Sequence, residues 1–375
     1  MKKERIIIVG GGIVGATAAY YLSKDSTIEL HLIDWGQGNA TRAAAGIICP
    51  WLSQRRNKDW YRLTAQGAAF YQDLMKDLEE DQVTNLPYKQ TGTLVFKKNE
   101  KLLDKLEKIG RERRQDAPRI GQLTQYRDPN KLQELIPSLA SDFPALLATG
   151  GGRLDGGLLV DILLEKAEEN GCTIHQGRAK FLSSTKLDLE GQEFTADKII
   201  LTVGAWLPQV LSPLGFEVDV RPQKGQLIEC QTDQESKDWP GCMLIGEIDI
   251  LPFDDGKILV GASHEDDQGF DLSPDFDLLE KMKEKAQDYL PFLNQEEIST
   301  YRIGTRAYTS DYLPFYGTIE QEPHILVASG LGSSGLTSGP FIGWQLAQTC
   351  LNLDNHFDAS PFQPAPYIKK RMKDL

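Results

Sequence analysis

Short apolar runs alternate along the chain with stretches in which apolar residues recur every three or four positions, and the two periods lay out its elements. Residues 5–9 form an apolar strand that stops in glycines. Residues 13–24 carry Ala, Tyr and Leu at helical spacing, and residues 28–34 alternate apolar and polar as a second strand. Over 59–80, Trp60, Leu63, Phe70, Leu74 and Leu78 fall on one face of a long amphipathic helix. Residues 91–96 read as a strand, and the following KKNEKLLDKLEKIGRERR as a charged surface helix. A glycine-rich stretch at 150–157 leads into a helix over 158–170, a strand over 173–176 and a meander that turns at Glu190-Gly191 and ends in a buried strand, 198–203. Beyond Val218 the pattern shifts to long strands, GQLIECQ and GKILVGA, with a helix over 274–289. Near Pro323 it shifts back to a short strand, HILVAS, a Gly/Ser loop and a helix over about 335–351. The segment YRIGTRAYTSDYLPFYG, 301–317, reads as one strand running into a proline-stopped turn. The alternation predicts two interleaved domains in an α/β chain, one of βαβ type and one dominated by a mixed sheet.

Composition agrees with that picture and narrows the partners. At 375 residues with 40% hydrophobic content, the chain is long for one core and rich enough to fill two. Its longest apolar runs, such as 6–9 and 199–201, have strand length and are too short to span a bilayer. The opening MKKERIIIVGGG has positive charge but lacks the sustained apolar segment of an export signal. Five cysteines, odd in number and without a CxxC pair, fit reduced thiols in a cytoplasmic protein better than a disulfide framework or a zinc site. A net charge of −13 argues against nucleic acid or an anionic membrane as the main partner, and the basic tail IKKRMK at 368–373 reads as a solvated terminus.

The best-determined motif is VGGGIVGATAAYYL. Gly10, Gly12 and Gly15 give G-x-G-x-x-G between a predicted strand and a predicted helix. Such glycines allow a tight turn, a close approach of pyrophosphate to the backbone, and close packing of helix on strand. Phosphates then sit on the helix N-terminus, where Ile13 and Val14 begin and free N–H groups favour anions. Asp34 closes the second strand nineteen residues after Gly15, where a carboxylate would bind a ribose 2′-hydroxyl. That acid argues against a 2′-phosphate and leaves NAD and FAD open. The small-residue run GNATRAAAGII, 38–48, includes Ala43, Ala45, Gly46 and Ile47 and would let a flat ring system lie against the backbone, with Thr41 and Arg42 adding contacts to the pyrophosphate; a short alanine-rich helix is the plainer reading.

At this point the chain resembles the D-amino-acid oxidase and glycine oxidase family of FAD enzymes over nearly its whole length. Six segments carry the likeness in matching order: IIIVGGGIVGATAAYYLS with Asp34, ATRAAAGII, GGRLDGGLLVDILLEKAEENGC, ADKIILTVGAW, RPQKGQLIE, and the pair GTRAYTSDYLPFYG and ASGLGSSGLTSGP. The resemblance implies a Rossmann-type FAD-binding domain, discontinuous over 1–86, 145–221 and 319–375, and a mixed-sheet α+β substrate domain over 87–144 and 222–318 roofing the flavin. It implies noncovalent FAD in an extended pose. Further cofactor contacts would come from Trp35, Lys180, the strand end Thr202, Val203, Gly204 and Trp206, and the loop Gly330, Leu331, Gly332, Ser333, Ser334, Gly335, Leu336 and Thr337. That loop would set backbone N–H groups beside the N1–C2=O side of the ring, where they stabilise its anionic reduced form. Relatives with covalent flavin carry a cysteine near the position of Arg306, and this chain has none between Cys242 and Cys350.

The resemblance also gives Arg306 a role. In the glycine and D-amino-acid oxidases the matching arginine holds the substrate carboxylate, and a guanidinium offers such a group a planar two-point contact. Oriented that way, a small amino acid (a D-amino acid, glycine or N-alkyl glycine) would pass a hydride from Cα to flavin N5, giving an imine that hydrolyses to a keto acid. The plainer reading of Arg306 is an ion pair to Asp311. Ala307 departs from the proline of many relatives, and Ser333 stands where some glycine oxidases have a second polar or basic pocket residue. Rough matching places Asp249 at a lid tyrosine of some relatives and His264 near the pocket wall, a pair suited to a substrate with an extra amine. No metal is required, and either oxygen or a respiratory carrier could take the electrons. Two other classes stay open on the sequence: an NAD-dependent dehydrogenase, and a flavoprotein module that modifies a larger partner such as tRNA.

Overall fold

The structure, a computed structural model, describes residues 3–246, 248–353 and 356–371. One sheet has six strands in the order Phe315–Ile319, Glu322–Ser329, Lys198–Leu201, Glu4–Val9, Ile28–Asp34, Thr173–Gln176. All its pairs are parallel except the first. The run of isoleucines in the strand Glu4–Val9 follows from burial on both faces. Ile6 and Ile8 join the core shared with the helices Ile13–Ser23, Gly156–Glu169 and Gly335–Cys350, whereas Ile7 and Val9 face Phe181, Leu187 and Phe194 of a three-stranded meander on the other side.

The second sheet has eight strands in the order Ile298–Tyr308, Arg221–Gln231, Lys257–Gly261, Asp249–Pro252, Gly241–Met243, Thr93–Phe96, Ala145–Ala148, Leu123–Tyr126. It is antiparallel apart from the contact between Gly241–Met243 and Thr93–Phe96. The α/β architecture with a mixed second sheet is the one the periodicity predicts. Two boundaries move by one strand each. Ala145–Ala148, expected in the nucleotide-binding unit, pairs in the eight-stranded sheet. Phe315–Ile319, expected in the substrate unit, is an edge strand of the six-stranded sheet. The proline-stopped turn of 301–317 is where the chain changes sheets. The basic tail also differs from expectation: Ile368–Lys370 pairs antiparallel with Phe216–Val218, so this part is a strand, while Met372 and Lys373 lie outside the described residues. Among the described residues no helix is long and apolar enough to cross a membrane.

Small residues bring the elements of the nucleotide-binding half together. Gly10 has φ +106°, and a Cβ there would stand 2.5 Å from the Thr202 carbonyl oxygen. A Cβ on Gly15 would meet the Gly10 carbonyl oxygen at 1.9 Å, so helix and strand can touch only through a glycine. Gly339 and Gly343 do the same between the last helix and Ile13, Val14 and Thr17. The N-termini of these two helices consequently lie side by side at the carboxyl end of the six-stranded sheet, the edge at which ligands bind in such sheets.

Candidate active site

A cleft runs along that edge, and a second cavity continues it under the eight-stranded sheet. Ala40, Thr41, Arg306, Gly332 and Gly335 belong to the walls of both, so the two form one continuous site.

The cleft wall carries a helix N-terminus and an acid. The helix Ile13–Ser23 begins at Gly12 with no capping side chain and no acid in its first turn, and Gly12, Ile13 and Val14 line the wall. The Thr41 hydroxyl accepts the Ile13 N–H at 3.0 Å, tying the small-residue segment to the helix start. Asp34 accepts the Gly11 N–H through Oδ1 at 2.9 Å and lines the cleft. Beyond it, Trp35 meets Trp206 edge to face with centroids 6.2 Å apart, and the Arg178 guanidinium lies 4.9 Å over the Trp35 ring. Between Gly38 and Ile48 the chain forms a single helical turn, Ala40–Ala43, which Asn39 caps by accepting the N–H groups of Thr41 and Arg42, and then extends into the short strand Ile47–Ile48.

Most residues expected at the cofactor line this site: Gly10, Gly12, Ile13, Val14, Asp34, Trp35, Thr202, Val203, Gly204, Trp206 and Leu331 in the cleft, Ala43, Ala45, Gly46, Ile47, Ser333, Ser334, Leu336 and Thr337 in the cavity, and Thr41, Gly332 and Gly335 at the junction. Four do not. Gly15 acts by packing alone, and Gly330 (φ +77°) makes a turn against Thr309. The Arg42 guanidinium is held outside the walls by Asp161. Lys180 is exposed, because the buried wall residue is its neighbour Ala179. Gly177, Arg178, Ala179, Asn39 and Thr305 were not singled out from sequence.

The walls fit a large flat ligand. Thr305 lines the cleft, and its hydroxyl is buried without a hydrogen-bond partner among the described residues. Gly335 has ordinary helical angles, φ −56° and ψ −49°, and a Cβ there would find only Leu331 Cβ at 3.9 Å. Neither backbone nor protein packing demands glycine at this position, but a side chain would project into the junction of the two cavities.

Arg306 stands at the same junction. Its strand, Ile298–Tyr308, pairs with Arg221–Gln231, and the facing residue is Gln223. The side chain lies across Gly225, where a Cβ would come within 2.7 Å of the guanidinium carbon. Nη1 donates to Gln223 Oε1 at 3.0 Å and to the Ser263 carbonyl at 2.8 Å. The rest of the guanidinium has no acceptor, and the group no ion pair, among the described residues. Burial pulls its pKa down, with Tyr308 and Glu265 acting the other way. Asp311, the alternative partner, is engaged elsewhere: it accepts from Thr309, from the Leu313 N–H and from Tyr367. Asp249 and His264 line the same cavity, as do Arg55 and Trp60, neither of which was expected at the site. Burial pushes the Asp249 carboxyl up to about 7.

The sequence profile of the DAO family, described as FAD dependent oxidoreductase, matches residues 5–349. An uncharacterized oxidoreductase of Bacillus subtilis, YurR, is 39% identical over 366 residues, 96% of this chain and 98% of the relative. The crystal structure of an iminodiacetate oxidase from Chelativorans sp. BNC1 superposes with TM-score 0.91 at 33% identity, covering 96% of this chain and 99% of that one. Glycine oxidase from Geobacillus kaustophilus superposes with TM-score 0.83 at 21% identity, covering 96% and 99%.

Proposed function

The chain belongs to the DAO family of FAD-dependent oxidoreductases, and from that premise we propose that it oxidises the C–N bond of a small amino acid held by its carboxylate on Arg306. The family assignment replaces the NAD-dependent alternative. The observation that carries the proposal is Arg306 itself, a cation on the cavity wall whose hydrogen bonds among the described residues run from Nη1 only. A half-buried, partly desolvated arginine without a paired acid is costly to keep, and a ligand carboxylate offsets that cost while fixing the ligand's orientation.

Noncovalent FAD, when bound, supplies the two-electron acceptor. The helix start at Gly12 to Val14 and the acid Asp34 would hold its pyrophosphate and ribose, and the junction at Gly332 and Gly335 its ring. The chain's own part in the chemistry is positional. Arg306 fixes the carboxylate, which sets the direction of the adjacent C–H bond. Asp249, with its carboxyl near neutral pKa on the cavity wall, can exchange the ammonium proton that must leave before the amine gives up a hydride. The substrate thus loses a hydride and a proton, its C–N bond becomes C=N, and water then replaces nitrogen to give a 2-oxo acid and an amine or ammonia.

Two measurements test this reading. Under anaerobic conditions, glycine, sarcosine, proline, D-amino acids and iminodiacetate are added separately to the yellow protein; at least one should bleach the flavin absorbance, and a flavin that none of them bleaches rejects the reading. Separately, Gly335→Val should fold with an unchanged circular dichroism spectrum yet weaken FAD by about tenfold or more, because a branched side chain there displaces ligand atoms. Titration of apoprotein with FAD, followed by fluorescence quenching, reads that loss; an unchanged affinity would place the ring elsewhere.

A further inference from the structure

The reading above employs one of two arginines in the cavity. Arg55 lies in the loop 53–57, between the turn Pro50–Leu52 and the helix Lys58–Glu80, and lines the same cavity as Arg306. Its guanidinium is held in place without an acid. It lies 4.6 Å over the Trp60 ring, and Nη2 donates to Ser333 Oγ at 3.3 Å. Trp60 is itself fixed, its Nε1 donating to Ser334 Oγ at 3.3 Å and its backbone N–H to the Asn57 cap. Stacking and one hydrogen bond leave the Nε and Nη1 edge of Arg55 for a ligand. Acids outnumber bases in this chain, 54 to 41, yet neither Arg55 nor Arg306 has a carboxylate partner among the described residues. The one acid on the wall of this cavity, Asp249, has no hydrogen bond to either.

Two unpaired guanidinium groups and one carboxyl are the complement of a molecule with two carboxylates and one amine. We propose that Arg55 forms a second carboxylate subsite, so that the substrate is an amino dicarboxylate with one carboxylate on Arg306 and the other on Arg55. This inference rests on the carboxylate role of Arg306 and adds the substrate class. The positions of the two arginines set the order: Arg306 lies across Gly225 at the junction with the cleft, where the reacting carbon must be. Arg55 sits on an exposed loop and takes the distal carboxylate. An amino monocarboxylate would leave the Arg55 edge in water and gain little from it. A dicarboxylate gains a second charge-assisted, two-point contact.

The test uses the FAD-loaded protein and two ligands that carry no nitrogen and so undergo no C–N oxidation: diglycolate, with two carboxylates about an ether oxygen, and methoxyacetate, with one. Each is titrated against the oxidised flavin spectrum of wild type, Arg55→Met and Arg306→Met. Wild type should bind diglycolate about tenfold or more tighter than methoxyacetate. Arg55→Met should bring the ratio to about one while leaving the methoxyacetate affinity within about twofold, since only the distal contact is lost. A wild type that does not prefer diglycolate overturns the proposal, as does an Arg55→Met protein that keeps the preference. Equal weakening of both ligands by Arg55→Met also overturns it, because the two arginines would then share one carboxylate. Arg306→Met should weaken both ligands; if it weakens neither, it is the carboxylate role of Arg306 that fails, a result distinct from the others.

Discussion

Arg306→Ala is expected to lower kcat/KM by roughly 30- to 4,000-fold, the equivalent of about 2–5 kcal/mol for removing one partner of a desolvated charge pair. FAD content should be unchanged, because the helix start and Asp34 that form the cleft lie on other elements. Both KM and kcat should suffer: KM through lost attraction, kcat because the carboxylate no longer fixes the direction of the reacting C–H bond. Arg306→Lys should recover part of KM but little of kcat, since an ammonium supplies charge without the planar fork. Stability separates this account from a structural one. A guanidinium with a carboxylate partner destabilises the fold when deleted; Arg306 has only neutral acceptors among the described residues, and burial already works against its charge. The melting temperature of ligand-free Arg306→Ala should therefore match or exceed wild type. A clear fall in melting temperature together with unchanged kinetics would make Arg306 a structural group.

How much of this was legible beforehand differs from residue to residue. Gly10, Gly15 and Asp34 declare themselves because strand, turn and helix follow one another in sequence and their geometry is local. Arg306 was legible through its motif, but its setting was not. Gly225 is eighty-one residues away, and its work of clearing space for the guanidinium follows from a pairing that only the folded sheet reveals. Lys180 shows the cost of parity. Side chains alternate across a strand, so an error of one position exchanged the buried wall residue Ala179 for an exposed lysine. Arg42 looked like a cleft residue because its neighbours are; Asp161, on a helix far along the chain, claims it. Arg55 gave the weakest signal, since in LSQRRNKDW it is one of several charges in a polar loop. Only its contacts with Trp60 and Ser333 set it apart from Arg56 beside it. The changes of sheet at Ala145–Ala148 and Phe315–Ile319 were hidden for a related reason, because strand character is local and choice of sheet is not.

Asp249 should make the protein less stable as the pH rises, over a window fixed by its shifted carboxyl. Its pKa stands at about 7 in the folded chain against an ordinary 3.8, with burial as the cause. Between those two values the folded state keeps a proton that the unfolded chain has released. The native state then binds more protons than the unfolded one, and stability falls with increasing pH. Below the window both states are protonated; above it both are ionised and the full penalty persists. Three pH units would amount to at most ~4 kcal/mol, and the partial opening of Asp249 to the cavity brings the expected figure to about 1–3 kcal/mol. Asp249→Asn has no proton to release. Thermal melts of wild type and variant at intervals from pH 5 to 8 should therefore diverge, the variant gaining steadily on wild type and the gap levelling off above about 7. Parallel melts across that range would mean that Asp249 titrates as an ordinary solvated acid and cannot hold a proton at neutral pH. Divergence would have a catalytic counterpart. If this carboxyl exchanges the ammonium proton, the rising limb of kcat/KM near pH 7 should be present in wild type and lost in Asp249→Asn. A variant that becomes more stable as it becomes slower is what a site keeping an uncompensated acid for chemistry predicts.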